Sequence, residues 1–419
     1  MLEQFFVNEE DSASEEKLAK GLNYLETSNS LDHILKYYKT LYRDEILGSK
    51  LDKNPNLLVV KNGVIDLQTG ECRGGRPSDY MSRQLDTNFI GLDARTPIID
   101  DFIGDLFNHD QEAIAYFQRL MGYSITGSTE SQVWVMFTGE GSNGKSLLAR
   151  FLKSLLQGWV VAAPHEIFFK AQRGHAGAHT THLLPLKGRR ICIKEEAEPT
   201  DELNTEILKM ITGGGDIPMR VAYAKEYEEF ETQALPILLC NDRPSVNIED
   251  YAMMRRIVVV PFQNIYTSPD DPKHPYDPNN PRHRPRDPEK AAKLLQEQGR
   301  EQLLVWLVKG AMAWYKNKNL KEQPALMKQA FESYNDENDK LKKFIQMFCV
   351  EGGSYYVNSV VFREQFTKTM GIIVPHNKLV EMMSARGFNF SSTRDKHNTK
   401  IKIYRGLCFF DSLHEFSNQ

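Results

Sequence analysis

Gly139-Glu140-Gly141-Ser142-Asn143-Gly144-Lys145-Ser146 places a glycine-rich turn directly before a lysine and a hydroxyl. The spacing is G-x-x-x-x-G-K-S, that of a phosphate-cradling loop. In such a loop the amides of Gly139, Gly141, Ser142, Asn143 and Gly144 turn inward on a di- or triphosphate. Lys145 then reaches the β- and γ-phosphates and Ser146 ligates Mg²⁺. The apolar run Val133–Phe137 in front of the loop reads as a buried strand. Leu147 to Leu152 behind it reads as a helix whose N-terminal partial charge adds to an anion site. Strand, loop and helix in this order predict a nucleotide site for ATP with Mg²⁺.

A phosphate loop that drives hydrolysis needs an acidic element to support the metal and activate water. Arg190-Ile191-Cys192-Ile193-Lys194-Glu195-Glu196 supplies an apolar strand ending in two carboxylates. Glu195 is the candidate metal support and Glu196 the candidate general base. Leu235–Cys240 is a further apolar run, and the Asn241 behind it is the candidate sensor of the γ-phosphate. Arg255 and Arg256 precede the run Ile257–Val260, and one of them is expected to stabilise transition-state charge across a subunit interface. Val221–Ala224 and Phe230–Thr232 flank Lys225-Glu226-Tyr227, the pattern of a hairpin with a lysine near its tip. In a ring such a hairpin grips a phosphate backbone without reading sequence.

These residues need a scaffold. Apolar runs near 133–138, 189–193, 235–240 and 256–262 alternate with helical segments, which argues for an α/β fold around a mostly parallel sheet. Residues 1–130 are expected to form a helical N-terminal domain with a small hairpin. Leu57–Val60 and Val64–Leu67 flank the turn pair Asn62-Gly63, and a helical approach runs from Ile98 to Leu120. The ATPase core is expected over 131–267. Prolines 269, 272, 275, 278 and 281 recur at every third residue, so 268–290 is expected to be an extended linker or arm with no hydrogen-bonded structure of its own, or a strap onto a neighbouring subunit. Helical patterning resumes over 291–340. The tail, 341–419, reads as three helices followed by two strands, a winged-helix-like order that would either bring Lys378, Arg386, Arg394, Lys396 and Lys400 to DNA or serve as a protein-contact module.

Composition narrows the class. The 52 basic and 56 acidic residues nearly balance, so no global field draws the chain to nucleic acid and any such contact must be local. The five cysteines form no C-x-x-C pair and read as buried thiols of a reducing compartment. No apolar stretch approaches the roughly 18 residues that span a bilayer, which predicts a soluble, intracellular protein with no membrane partner. His175, His179 and His182 are spaced i, i+4, i+7, but Gly174 and Gly177 among them favour a polar loop over a metal site.

The ordered set resembles the superfamily-3 helicases of the poxvirus and phage primase-helicase type. The matching stretches are the G-x-G-S-N-G-K-S loop, the acidic pair, the block from Leu208-Lys209 through Gly214-Gly215-Asp216 to Arg220, Cys240-Asn241, and Arg255-Arg256 before Pro261-Phe262. Asn62–Leu67 and Leu120–Thr126 also look like that family's region before the ATPase. The likeness covers about 50–265 well and the tail loosely. The third glycine of Gly213-Gly214-Gly215 and the proline-rich insert depart from the pattern. The resemblance implies an AAA+-like core, a homo-hexamer with ATP between subunits, and 3′→5′ movement on single-stranded DNA. It also implies Arg220 and Lys225 as DNA contacts, and a primase-polymerase domain or protein as partner. No primase carboxylate cluster is evident, so the chain reads as a stand-alone helicase or the helicase half of a longer protein. Rival readings are a passive DNA-binding ring or loader, an RNA helicase, and a small-molecule kinase.

Overall fold

The computed structural model describes residues 17, 19–21, 23–24, 27–42, 47–170, 180–219, 228–272, 275–394 and 397–415. They form two compact units, one from residues 1–53 with 80–82 and the other from 54–79 with 83–419. In the first unit, helix α1 spans Ser28–Leu41. The polar Ser28-Asn29-Ser30 stretch is thus a helix start, with the Thr27 hydroxyl bonded to Tyr24 O at 2.7 Å and 2.8 Å from Ser30 Oγ. Asp52 closes this unit by accepting from the Ser82 amide at 2.8 Å.

The second unit opens with an antiparallel sheet of β1 (Leu57–Val60), β2 (Gly63–Asp66) and β3 (Cys72–Arg73). Asn62 in the β1–β2 turn donates to Phe89 O and accepts from Phe89 N, both at 2.9 Å, which pins the hairpin to the following chain. The helical approach is two helices, α2 (Pro97–Leu106) and α3 (Gln111–Ser124). Between them Asn108 and His109 take left-handed backbone at φ 50° and 58°, and Asp110 caps α3 by accepting from Glu112 N and Ala113 N. A left-handed pair cannot continue a helix, and apolar periodicity does not register it.

The core follows in chain order: β4 (Trp134–Thr138), α4 (Lys145–Leu156), β5 (Val160–Ala162), β6 (Ile191–Glu195), α5 (Thr205–Thr212), β7 (Asp216–Met219), β8 (Glu228–Glu231), β9 (Leu235–Cys240) and β10 (Ile257–Pro261). Five of these strands make one sheet in the order β10-β4-β9-β6-β5, every pair parallel. Both faces are covered, so β4 and β9 are buried at every residue, as continuous apolar runs in a parallel sheet require. Buried Arg190, just before β6, lies 4.3 Å over the Trp159 ring and donates to Leu57 O at 2.6 Å and to Ile125 O. It binds the small sheet to the large one through neutral carbonyls. Strands β7 and β8 form a separate antiparallel pair.

The proline-rich stretch differs from its expected form. Strands β11 (Ile265–Thr267) and β12 (His283–Pro285) pair in parallel, with Ile265 N donating to Arg282 O at 2.8 Å and Arg286 N to Thr267 O at 2.9 Å. Proline spacing conceals the three residues between Pro281 and Pro285, which keep their N–H groups and can enter a ladder. Helices α6 (Pro288–Leu295), α7 (Glu297–Asn317) and α8 (Ala325–Asn338) follow. Helix α7 packs on α3 at backbone distance: a Cβ on Gly310 would fall 2.1 Å from Gln118 O, and one on Gly122 would fall 2.1 Å from Ala311 N.

The tail runs α9 (Lys340–Phe348), β13 (Cys349–Asn358), α10 (Ser359–Met370), α11 (His376–Ala385), β14 (Phe390–Arg394) and β15 (Lys400–Phe409). Its three strands pair antiparallel with β15 in the centre over a core that includes Phe344, Phe362, Phe366 and Tyr404. Strand β13 was not legible, because Gly352-Gly353-Ser354 breaks its alternation and a register shift separates Glu351 from Tyr356.

Candidate functional site

Each strand-end residue singled out in the core stands at the carboxyl edge of the parallel sheet. Residues Thr138 and Cys240 are partners across β4 and β9, and Glu195 faces Leu239. The loop after β4 and Asn241 after β9 therefore meet, as ligand-binding loops do at this edge of α/β sheets. Gly141, Ser142 and Gly144 take φ of 108°, 48° and 85°, so the chain turns sharply enough to aim successive amides inward. At Gly139 a Cβ would lie 2.7 Å from Phe262 O and 2.9 Å from the Asn143 side chain, so this position admits no other residue without movement.

Lys145 is 6% exposed, and its ammonium donates to Gly139 O at 2.9 Å, Asn143 Oδ1 at 3.1 Å and Asn241 Oδ1 at 3.0 Å. All three acceptors are neutral. Burial without a counter-charge lowers the Lys145 pKa to about 8. Buried Asn143 is the keystone of the loop, accepting from Gly141 N at 2.6 Å and donating to Asn264 O at 2.8 Å. Asn264 in turn donates to Asp105 O at 2.6 Å and Asn108 Oδ1 at 2.9 Å. A relay of amides thus ties the loop to the end of α2.

A cleft of about 1000 Å³ opens beside the loop, lined by Gly141 through Leu147, Arg150, Asn241 and Tyr266, with further walls from α2 and from Arg284 to Leu295. Its size admits a nucleoside triphosphate. The loop amides, Lys145 and the Ser146 hydroxyl fit a phosphate with its Mg²⁺. Among the described residues no group of three His, Cys, Asp or Glu could hold a metal alone.

The acidic pair is less closely joined to this cleft, whose walls it does not line. Glu195 is exposed and its carboxylate lies 2.5 Å from Lys153 Nζ on α4. Glu196 is held in left-handed backbone at φ 69°, its amide donating to Leu239 O at 2.8 Å. A non-glycine residue so held stores strain that the ladder offsets.

The two arginines lie elsewhere. Ile257 pairs with Trp134 at the amino end of the sheet, so Arg255 and Arg256 stand about 13 Å from the loop edge along a five-residue strand. Arg256 is 8% exposed and donates to Ala252 O and, at 3.3 Å, to Gln132 Oε1. Arg255 is exposed and reaches the same glutamine at 3.2 Å. Neither joins its own chain's cleft. Arg220 and Lys225 lie outside the described residues, as do His175, His179 and Lys396, while the hairpin base β7–β8 is described. In the tail, Lys378 pairs with Glu249 at 3.2 Å, Arg386 with Asp339 at 2.7 Å, and Arg394 donates to Asn398 at 2.7 Å.

Sequence reading missed Asn264, Tyr266, Asp105, Arg284, Arg286 and Lys290. None sits in a motif; each comes to the loop by tertiary docking.

Residues 2–108 match the family model described as D5 N terminal like. Over 248 residues the chain is 31% identical to a candidate helicase of Acanthamoeba polyphaga mimivirus, covering 58% of this chain and 26% of that protein. A candidate helicase of Frog virus 3 is 21% identical, covering 79% of this chain and 40% of its own. A candidate primase of African swine fever virus is 22% identical, covering 77% and 34%. The chain thus spans well under half of these relatives. Among solved structures, the apo C-terminal region of NrS-1 aligns over 77% of each chain at 14% identity with a TM-score of 0.41. No described helix is long and apolar enough to cross a membrane. The N-terminal quarter is thus similar to the D5 N-terminal-like family, and the longer stretch to viral proteins described as candidate helicases and primases.

Proposed function

We propose that this chain is the ATP-driven motor of a replicative DNA helicase of viral or phage type. It works as a homo-hexamer on single-stranded DNA, moving 3′→5′, beside a primase-polymerase domain or protein. The observation that carries the reading is the Lys145 ammonium, buried at a cleft with three neutral acceptors and, among the described residues, no carboxylate. A buried cation without counter-charge is an anion's seat.

In this reading the core is an AAA+-like P-loop ATPase of superfamily 3, and the tail is a winged helix. The loop amides and Lys145 bind the triphosphate of ATP, while Ser146 holds Mg²⁺ with Glu195 supporting it through water. A bound Mg²⁺ would supply charge neutralisation at the phosphate oxygens. Glu196 takes the proton of the attacking water, and Asn241 orients that water against the γ-phosphate. Arg255 is the finger for the neighbouring subunit's site, because Arg256 is buried and already donates to Ala252 O and Gln132 Oε1. Arg220 and Lys225, beyond the hairpin base, carry the DNA backbone.

The test is ATP turnover with and without single-stranded DNA, together with the oligomer mass in Mg²⁺ and nucleotide. DNA-stimulated turnover by a ring-sized species supports the motor. Turnover that DNA leaves unchanged removes the motor and favours a loader. Activity in Lys145→Ala equal to wild type removes the ATPase assignment itself.

A further inference from the structure

The proline-rich insert was expected to be a linker, yet it is built onto the phosphate loop. Tyr266 N in β11 donates to Ser142 O at 2.8 Å, and Arg282 joins Glu140 of the loop at 3.2 Å while its Nε donates to Gln263 O at 2.9 Å. Residues Arg284 to Pro288 and Lys290 then form one wall of the cleft.

Four cations lie on this wall and its approach, and three are committed. Arg282 has Glu140; Arg284 donates to Asn108 Oδ1 at 2.7 Å; Lys290 pairs with Asp101 at 2.6 Å and with Asp105. The fourth is Arg286. Its backbone is fixed by the bond to Thr267 O, it lines the cleft, and its guanidinium has no hydrogen bond or ion pair among the described residues. The Tyr266 hydroxyl on the same wall is buried with no partner among the described residues. Ala291 and Leu295 of α6 give that wall an apolar patch. An unpaired guanidinium, an orphaned hydroxyl and an apolar patch match the three parts of a nucleotide: phosphate, polar edge and base face.

We propose that the insert is a clamp in cis on the nucleoside triphosphate, with Arg286 binding its phosphate chain and Tyr266 with the α6 face holding the nucleoside. The clamp rests on the nucleotide reading above. It gives a segment of apparent linker composition a share in substrate binding. It also couples loop and arm, since the Arg282–Glu140 pair moves whichever of them moves first.

The test uses the full chain and Arg286→Ala and Arg286→Lys, with ATP binding by calorimetry in Mg²⁺ and adenosine binding by ligand-observed NMR. Arg286→Ala should weaken ATP about 10- to 100-fold, the size of one charge-assisted contact in a cleft, and leave adenosine and the ligand-free melting temperature unchanged. Arg286→Lys should recover part of the loss, as a point charge does at a guanidinium's place. Equal weakening of ATP and adenosine, or no change in either, overturns the clamp while the nucleotide site stands. A wild-type chain that binds neither ligand overturns the nucleotide reading and the clamp with it.

Discussion

Two regions of this molecule carry basic residues where a nucleic acid or nucleotide is expected, and particular cations in each are partnered in opposite ways, even though Arg282 and Lys290 beside the cleft hold carboxylates. Around the phosphate loop Lys145 rests on neutral oxygens, and Arg286 has no partner among the described residues. In the tail, Lys378 and Arg386 already hold carboxylates, Glu249 and Asp339. A cation that must meet a ligand's charge is kept uncompensated, and the cost appears as a lowered pKa. A cation that fastens one element to another is neutralised at home. Counting lysines and arginines does not separate the two cases, whereas tracing each to its nearest acidic oxygen does.

The largest expected effect tests the first half of this contrast. Lys145→Ala should abolish turnover and weaken ATP by about 100-fold or more, the scale of a buried charge pair lost. It should not lower the ligand-free melting temperature, because the native lysine is a burden when empty. A melting temperature well below wild type would mean that the three amide and carbonyl contacts stabilise the fold, and the contrast would fail.

A pH series gives the next effect. Lys145 titrates near 8 in the fold against 10.5 when unfolded, so the unfolded chain binds more protons between those values. This group's contribution to stability therefore rises with pH through that window. Triphosphate affinity should move the other way, falling above about pH 8 by up to tenfold per unit as the ammonium is lost. Measured across pH 7 to 10, a flat affinity would show that Lys145 does not meet the phosphates.

Smaller effects belong to the tail. Arg386→Ala should cost about 1–2 kcal/mol in denaturant unfolding, because Asp339 also caps α9 through Lys342 N, with DNA affinity unchanged. Lys400→Ala, at an exposed strand end, should leave stability alone and weaken single-stranded DNA about two- to threefold with a shallower salt dependence. If Arg386→Ala proved the DNA-binding variant and Lys400→Ala the unstable one, pairing would be no guide to role here.

Much of the core was legible because its signals are local. The phosphate loop is eight contiguous residues, and the strands of β4, β9 and β10 are unbroken apolar runs that a doubly covered parallel sheet demands. The strand-end residues Glu195, Glu196 and Asn241 could be placed because each follows such a run. The break between α2 and α3 was hidden in the two left-handed residues Asn108 and His109. The far side of the cleft was hidden more deeply. Asp105, Asn264, Tyr266 and Arg286 meet only when α2, the arm and the loop dock, and neither periodicity nor motif records a docking. Asn143 offered the one clue, since a buried amide in a tight loop must find a distant partner.

The contact between α3 and α7 has a mechanical consequence. With Gly122 and Gly310 bringing the two backbones together, and Gln118 Nε2 bonded to Trp306 O at 3.1 Å, the pair has no compressible layer of side chains at its crossing. Helix α3 leads, through the nine residues 125–133, into the strand that bears the phosphate loop. The close backbone approach makes the helix pair a strut beside the core, with α7 extending about 30 Å along it.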